Sequence, residues 1–416
     1  MNILFMLLGL FTGLLCLNIY GLPLVFFPLV IIILLNIVKI RRVNVNIMFV
    51  YYILIIFSLI VSLRYNELFY TNIFSFSFIR LLVFIIICLT VKIKKEYFQN
   101  FLVGVKGTVL ITIIWATFEL IAWILFEFPW NQFIFGDILG IVVDHTWLNL
   151  RNNQIRVCGF SWDPLNAGIL SALGFLLFEN KFLKCYCLVI LYFSGSRAAQ
   201  LGLILCILIS YLVNKMSYLT LQRFFKIFLI FGLCIMIFIY FFCFRIKNID
   251  AKGDMRRRQY YISAIKSTVL DKNIDTFLFG GSPFYSGNLL ARDKNLGEET
   301  FLEGEMYKIN WKIESDWAHI LTGRGWIGFL SYIIIFTLSY YKITDLKLKA
   351  ILLLYFFSGI GYYYETSLFI NLCLIYINQN IKLQWRKNER NNIVWWKWDK
   401  TLSSNESNIE TNKCDI

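Results

Sequence analysis

The side chains with the clearest chemical potential are a few charged residues at the edges of long apolar stretches. Arg197 follows Ser194-Gly195-Ser196 between two such stretches. An arginine at mid-membrane depth costs roughly 2.5–3.5 kcal/mol even on the lenient insertion scale, so something should offset it. Snorkelling to an interface is one reading. A phosphate site is the other: Gly195 and Ser196 let backbone N–H groups face an anion while the guanidinium grips two oxygens. Such a phosphate would belong to a lipid carrier, whose head lies at this depth. Arg156 stands shortly before Asp163, Pro164 and Asn166. Pro164 suits the first turn of a helix, and Asp163 either caps that helix or supports a site beside it.

Glu314, Asp316 and His319 precede a further apolar stretch, with Arg324 in its first turns. A carboxylate beside a cation at a membrane surface can act as general base on a sugar hydroxyl. Titratable groups this close together are also ordinary in a solvated loop. Glu119 and Arg80 lie within apolar stretches, where a charge is either functional or a partner inside a helix bundle. Gly280-Gly281-Ser282-Pro283 signals a turn but lacks the lysine and strand of a P-loop. His145 and His319 are the only two histidines, too isolated for a metal centre, so no metal is expected.

The elements that must position these residues follow from composition. Hydrophobic residues make up 58% of the 416 positions and charged residues 16%, too little polar surface to cover a soluble domain. Apolar runs long enough for a bilayer core about 30 Å thick recur almost end to end, and their continuity fits helices rather than a closed barrel. The formal charge of +14 sits in short loops between runs, which reads as an orientation signal and not as a nucleic-acid surface. No cleavable signal stands out at the start. Cys16, Cys88, Cys185, Cys187, Cys206, Cys234 and Cys373 lie in apolar runs and read as small apolar fillers.

The expected architecture is an all-α polytopic membrane protein with about twelve transmembrane helices, within a range of about 10–13, and one large outer loop. The spans fall at 3–20, 23–38, 46–63, 73–91, 107–126, 164–179, 183–194, 198–213, 226–244, 319–340, 348–362 and 366–380. The stretch 185–213 is long enough for one helix or two short ones broken at Ser194–Arg197. Lys181 and Lys184 precede it while Lys215, Arg223 and Lys226 follow it, so both flanks belong on the cytoplasmic side and two helices are required. The chain then divides into N-terminal helices (1–126), a central region with an outer loop and the Ser-Gly-Ser-Arg hinge (127–244), a large outer loop (245–318), C-terminal helices (319–380) and a basic tail (381–416). Both termini come out cytoplasmic. Within the outer loop, 255–270 has the spacing of an amphipathic helix beginning with Arg256, Arg257 and Arg258. Trp395, Trp396 and Trp398 read as an interfacial anchor, and the polar end from Ser403 reads as disordered.

Four stretches together resemble the superfamily of O-antigen polymerases and O-antigen ligases. Arg156-Val-Cys-Gly-Phe-Ser-Trp-Asp-Pro-Leu-Asn-Ala is similar to that family's Arg and Gly followed by a Pro-Asn element before a helix, with Leu165 intervening here. Phe193-Ser-Gly-Ser-Arg-Ala-Ala-Gln is similar to its Thr/Ser-Gly-Ser-Arg turn between two short helices. Arg257, with Tyr261, Ala264 and Phe279-Gly280, resembles the start of the family's outer loop. Glu314-Ser-Asp-Trp through Gly325-Trp-Ile-Gly328 resembles its end. The position of the proposed ligase histidine falls on Glu314, and His319 lies five residues later, so the likeness leans to the polymerase branch.

What the resemblance implies is a glycosyl transfer on the periplasmic face of a bacterial cytoplasmic membrane, without metal, cofactor or nucleotide sugar. The donor is a glycan on undecaprenyl diphosphate and the acceptor a hydroxyl of another lipid-linked repeat unit. Arg156 and Arg197 then hold the diphosphate with Arg257 assisting, Glu314 or Asp316 activates the hydroxyl, and Asp163, Asn166, His319 and Arg324 support them. Membrane lipids, a flippase and a chain-length regulator are the implied partners; nucleic acid is not. The alternatives are a ligase of the same superfamily or a polysaccharide flippase. Transporters usually show related halves and short polar loops, whereas this chain shows no internal repeat and its large outer loop argues for an enzyme.

Overall fold

A computed structural model describes residues 1–14, 18–19, 22–37, 46–64, 70, 72–138, 150–151, 154–161, 163–215, 273–287, 315–359, 367–379, 385–387 and 394–396. The architecture is all-α. Helices α1 (Asn2–Phe11), α2 (Phe26–Ile37), α3 (Ile47–Val61), α4 (Phe76–Thr90) and α5 (Lys95–Phe126) are followed by α6 (Pro164–Leu177), α7 (Lys181–Ser194), α8 (Arg197–Lys215) and the short α9 (Ile274–Phe279). Helices α10 (Asp316–Lys342), α11 (Leu346–Ser358) and α12 (Leu368–Gln379) complete the described set. Three small antiparallel hairpins accompany them.

Helix starts follow the expected cap chemistry, in which a polar side chain accepts from an otherwise orphaned N–H. Asn46 accepts from Phe49 N at 2.9 Å, Ser75 from Phe78 N at 3.1 Å, and Asn180 from Phe182 N at 2.8 Å. Among the described residues, α5 with 32 residues and α10 with 27 are long and apolar enough to cross a membrane. The other apolar helices of 10–17 residues are shorter than a full bilayer crossing at about 1.5 Å per residue. The expected first span, 3–20, is not one helix: α1 ends at Phe11, and Asn18–Ile19 pairs with Leu22–Pro23. In the tail, Val394–Trp396 pairs with Trp385–Lys387. Of the cysteines read as buried fillers, Cys88, Cys187, Cys206 and Cys373 are buried and Cys185 is exposed. The segments 226–244, 255–270 and everything from 397 onward lie outside the described residues.

Packing explains the order of the helices. α1 lies against α5 with Gly9 facing Gly104, where a Cβ on either would strike backbone atoms of the other helix. Small residues at such a crossing let two backbones touch. α6 pairs with α7, α8 with α11, and α10 with α3 and α9. α5 is apolar on both sides. Its inner side buries Val105, Val109, Ile113 and Ala116, while Leu110, Ile114, Phe118, Ile121 and Leu125 form an exposed row at helical spacing.

Chain direction sorts the helix ends into two groups. α5 begins at Lys95, α6 ends beside Glu179, and α11 begins beside Lys347, which pairs with Glu179 at 2.8 Å. Lys92, Lys94, Lys95 and Lys181 therefore gather at one end of the bundle. The turn between α5 and α6, the break between α7 and α8, and the start of α10 lie at the other.

α10 carries the sharpest backbone departure. Gly325 adopts φ 65°, ψ −170°, and Gly280 at the end of α9 adopts φ 68°. The two segments cross so closely that a Cβ on Gly280 would meet Gly323 backbone, and one on Gly325 would meet Leu278 backbone. The kink frees the Gly323 carbonyl, which accepts from Ser58 Oγ at 2.7 Å and Ser282 N at 3.3 Å.

Candidate functional site

A small apolar cluster brings the first candidates together. Val109, Ile113, Ala116 and Leu120 of α5 pack with Ile155, Val157, Leu170, Cys187 and Ile190, so the segment before α6 is seated on α5, α6 and α7 at once. Polar contacts then fix its path. Glu119, 3% exposed on α5, accepts through Oε2 from the N–H groups of Cys158 at 2.9 Å and Gly159 at 3.0 Å. Gly159 is left-handed at φ 56°, and a Cβ there would press on Thr112. Ser161 Oγ bonds the carbonyls of Cys158 at 2.7 Å and Asp163 at 3.0 Å. The charges meet around the Cys158 thiol, which is pushed well above the ordinary range, first by burial and then by Glu119 and Asp163, with Arg156 opposing.

This path delivers Arg156 to the break between α7 and α8. Val157 N donates to Phe193 O at 3.2 Å, and Arg156 Nε donates to Ser194 O at 3.1 Å. The two expected helices are found: α7 ends at Ser194, Gly195 takes φ 60°, and α8 starts at Arg197. Gly195 is required twice over, because its φ disfavours a Cβ and a Cβ would also lie 3.0 Å from Arg156 Nε. Arg197 is exposed beside it and Arg156 is half-buried.

One expectation about this break changes. The backbone N–H groups of Gly195, Ser196 and Arg197 are already bonded within it, to Tyr192 O at 3.0 Å, Ser194 Oγ at 3.3 Å and Gly195 O at 3.1 Å. The tight helix-terminating turn uses those donors itself, so they do not form an anion nest. Any anion at this place meets side chains and the positive N-terminal end of α8 instead. Ser196 Oγ, which faces Gly168, is buried and has no hydrogen-bond partner among the described residues. Asp163 caps α6, accepting from Leu165 N at 2.9 Å, with Pro164 in the first turn and Asn166 half-buried after it.

The second group of candidates forms a separate, enclosed node. His319 is 0% exposed; Nε2 donates to Pro283 O at 3.1 Å, which leaves Nδ1 to accept from Ser286 Oγ at 2.5 Å in the neutral ring. Arg324, 2% exposed, donates to Tyr51 Oη at 2.7 Å and Pro283 O at 3.4 Å. Asn72 completes the clamp, donating to Ser282 Oγ at 3.0 Å and accepting from Phe284 N at 2.9 Å. The Gly-Gly-Ser-Pro turn is thus an internal strap held by α3, α10 and Asn72. Asp316 is 1% exposed, donates its N–H to Gly359 O at 2.8 Å, and lines a small internal cavity with Tyr51, Tyr355 and Asn371. Arg80 lies near Tyr285 of the strap.

The groups are linked through α11. A Cβ on Gly202 of α8 would strike Ser358, and the next residue, Gly359, touches Asp316. Gly202 is five residues beyond Arg197, about 7.5 Å along a helix. The structure therefore brings Arg156, Asp163 and Arg197 to one place and sets Asp316, His319 and Arg324 in an adjoining interior. Arg257 and Glu314 lie outside the described residues. Glu119 is the residue whose role the sequence did not disclose: a carboxylate in an apolar run was visible, but its partners are backbone groups some forty positions away, which no side-chain pattern marks. No protein-family model matches the chain, and no curated protein matches it.

Proposed function

We propose that the chain is a multi-pass membrane glycosyltransferase that joins lipid-linked oligosaccharide repeat units at the outer face of a bacterial cytoplasmic membrane. The observation that carries this reading is Arg156 laid across Gly195 with Arg197 exposed two residues on. Two guanidinium groups and a helix N-terminus at one helix break suit a diphosphate. The exposed apolar row of α5 fits a lipid-facing wall. The lysines gathered at the opposite end fit a cytoplasmic side and leave the arginines outside.

In the reaction, the anomeric carbon of the donor glycan leaves the diphosphate oxygen and bonds the acceptor hydroxyl oxygen. The hydroxyl proton passes to a carboxylate, and Arg156 and Arg197, with Arg257 assisting, stabilise the charge growing on the departing diphosphate. Between the two carboxylates, the enclosure of Asp316 favours Glu314 as the base and leaves Asp316, His319 and Arg324 supporting the wall behind it.

The test is a gel of surface polysaccharide from a deletion strain complemented with variants. Without the protein, cells should keep a single repeat unit on the lipid core. A ligase would lose all capping, and a flippase would strand repeat units on the cytoplasmic side. Arg197→Ala at normal protein level should give the deletion pattern; a full ladder of chain lengths from it overturns the proposal.

A further inference from the structure

We infer that Glu119 is the positioning residue for Arg156: its buried carboxylate pins the turn 156–159 from inside the bundle and so aims the guanidinium across Gly195. This rests on the diphosphate reading of Arg156 and Arg197 given above.

One oxygen of Glu119 takes two adjacent N–H groups, those of Cys158 and Gly159. Asn131 adds a side-chain hydrogen bond to the same carboxylate and itself accepts from Trp115 Nε1 at 2.7 Å, which fixes the carboxylate from behind. The held turn begins two residues after Arg156, with Val157 between them tied to Phe193. Backbone on both sides of Arg156 is held, by the pairing of Ile155 with Leu150 before it and by Val157 and the turn on Glu119 after it, and the Glu119 turn is the part fixed by a buried side-chain acceptor. Gly159 in its left-handed conformation is what lets the turn present both N–H groups to one point. A carboxylate inside an apolar bundle is costly unless its hydrogen bonds are satisfied, and here they are satisfied by the segment that carries the arginine. Removing the acceptor orphans two buried N–H groups, and the turn is then expected to swing toward other partners, taking Arg156 off the break between α7 and α8.

Position, and not charge, is the point of the design, which gives the variants an unusual order. Glu119→Gln keeps an oxygen at the same reach. Glu119→Asp keeps the charge and withdraws the oxygen by about one carbon–carbon bond. Binding of undecaprenyl diphosphate to the full-length protein in nanodiscs is the readout, alongside the polysaccharide ladder. Glu119→Asp and Glu119→Leu should weaken binding about tenfold, as Arg156→Ala does, while Glu119→Gln stays within about threefold of the parent. Glu119→Leu combined with Arg156→Ala should bind no more weakly than Arg156→Ala alone, because both changes remove one contact.

Parental affinity in Glu119→Asp, or a larger loss in Glu119→Gln than in Glu119→Asp, overturns the inference and leaves the diphosphate reading standing. If Glu119→Leu does not accumulate, the Asp and Gln pair still decides. Parental affinity in both Arg156→Ala and Arg197→Ala would instead remove the diphosphate reading itself.

Discussion

Arg156 and Arg324 are both arginines at the junction of an irregular segment with a helix, yet their surroundings are opposites. Arg324 is enclosed, with its guanidinium on Tyr51 and on the Pro283 carbonyl, and the same carbonyl receives His319. Arg156 is half-buried, lies over a glycine that leaves room for it, and has a second, exposed arginine two residues beyond that glycine. The enclosed arginine completes the fold. Two cations share one helix break that is partly open to the surface, and that is where a ligand is to be sought.

The sharpest way to break this contrast is to remove each arginine in turn. Arg324→Ala should cost about 3 kcal/mol or more, since it leaves a cavity and removes the guanidinium bonds to Tyr51 Oη and the Pro283 carbonyl. The expected result is a large drop in folded protein recovered in detergent and in its melting temperature. Arg156→Ala should melt near the parent and lose long-chain product. Equal melting losses in the two variants would erase the distinction between them.

A smaller effect separates capping from chemistry at Asp163. If its task is to cap α6, Asp163→Asn should keep both stability and chain length, and Asp163→Ala should lose about 1 kcal/mol with chain length unchanged. Loss of polymer in a normally folded Asp163→Asn would draw this residue into the site. The smallest effect belongs to the exposed Lys347–Glu179 pair at the lysine end. The hydrogen bond from Lys347 holds the Glu179 carboxyl below its usual range, so whatever the pair contributes is present at neutral pH and fades as acid protonates that carboxylate. Glu179→Gln should leave neutral-pH melting and chain length unmoved.

Much of the helical frame was legible because apolar runs, proline and cap residues are local signals. The start of α6 at Asp163-Pro164 is one case, and the break at Gly195 is another, where flanking lysines required two helices. The shortening of α1 was not legible, because 3–20 is almost wholly apolar and reads as one run, whereas the helix stops at Phe11 and Asn18–Ile19 pairs with Leu22–Pro23. Within the site, Arg156 and Arg197 were marked by charge in apolar surroundings. The burial of Asp316 and His319 was not, since the Gly-Gly-Ser-Pro strap that covers His319 is remote in sequence and read only as a turn. The use of hinge N–H groups by the hinge itself was likewise a matter of geometry, which composition does not carry.

The bond between Ser286 and His319 has a consequence for how such a chain can diverge. It joins the stretch 288–314 at its base, so whatever length lies between leaves and returns at nearly one point of the bundle. Closing a longer loop between those two ends is cheap, each doubling of its length costing only about 0.6 kcal/mol. On the proposed function, length added there therefore gives recognition of a new acceptor sugar room to evolve without change at Ser286 and His319.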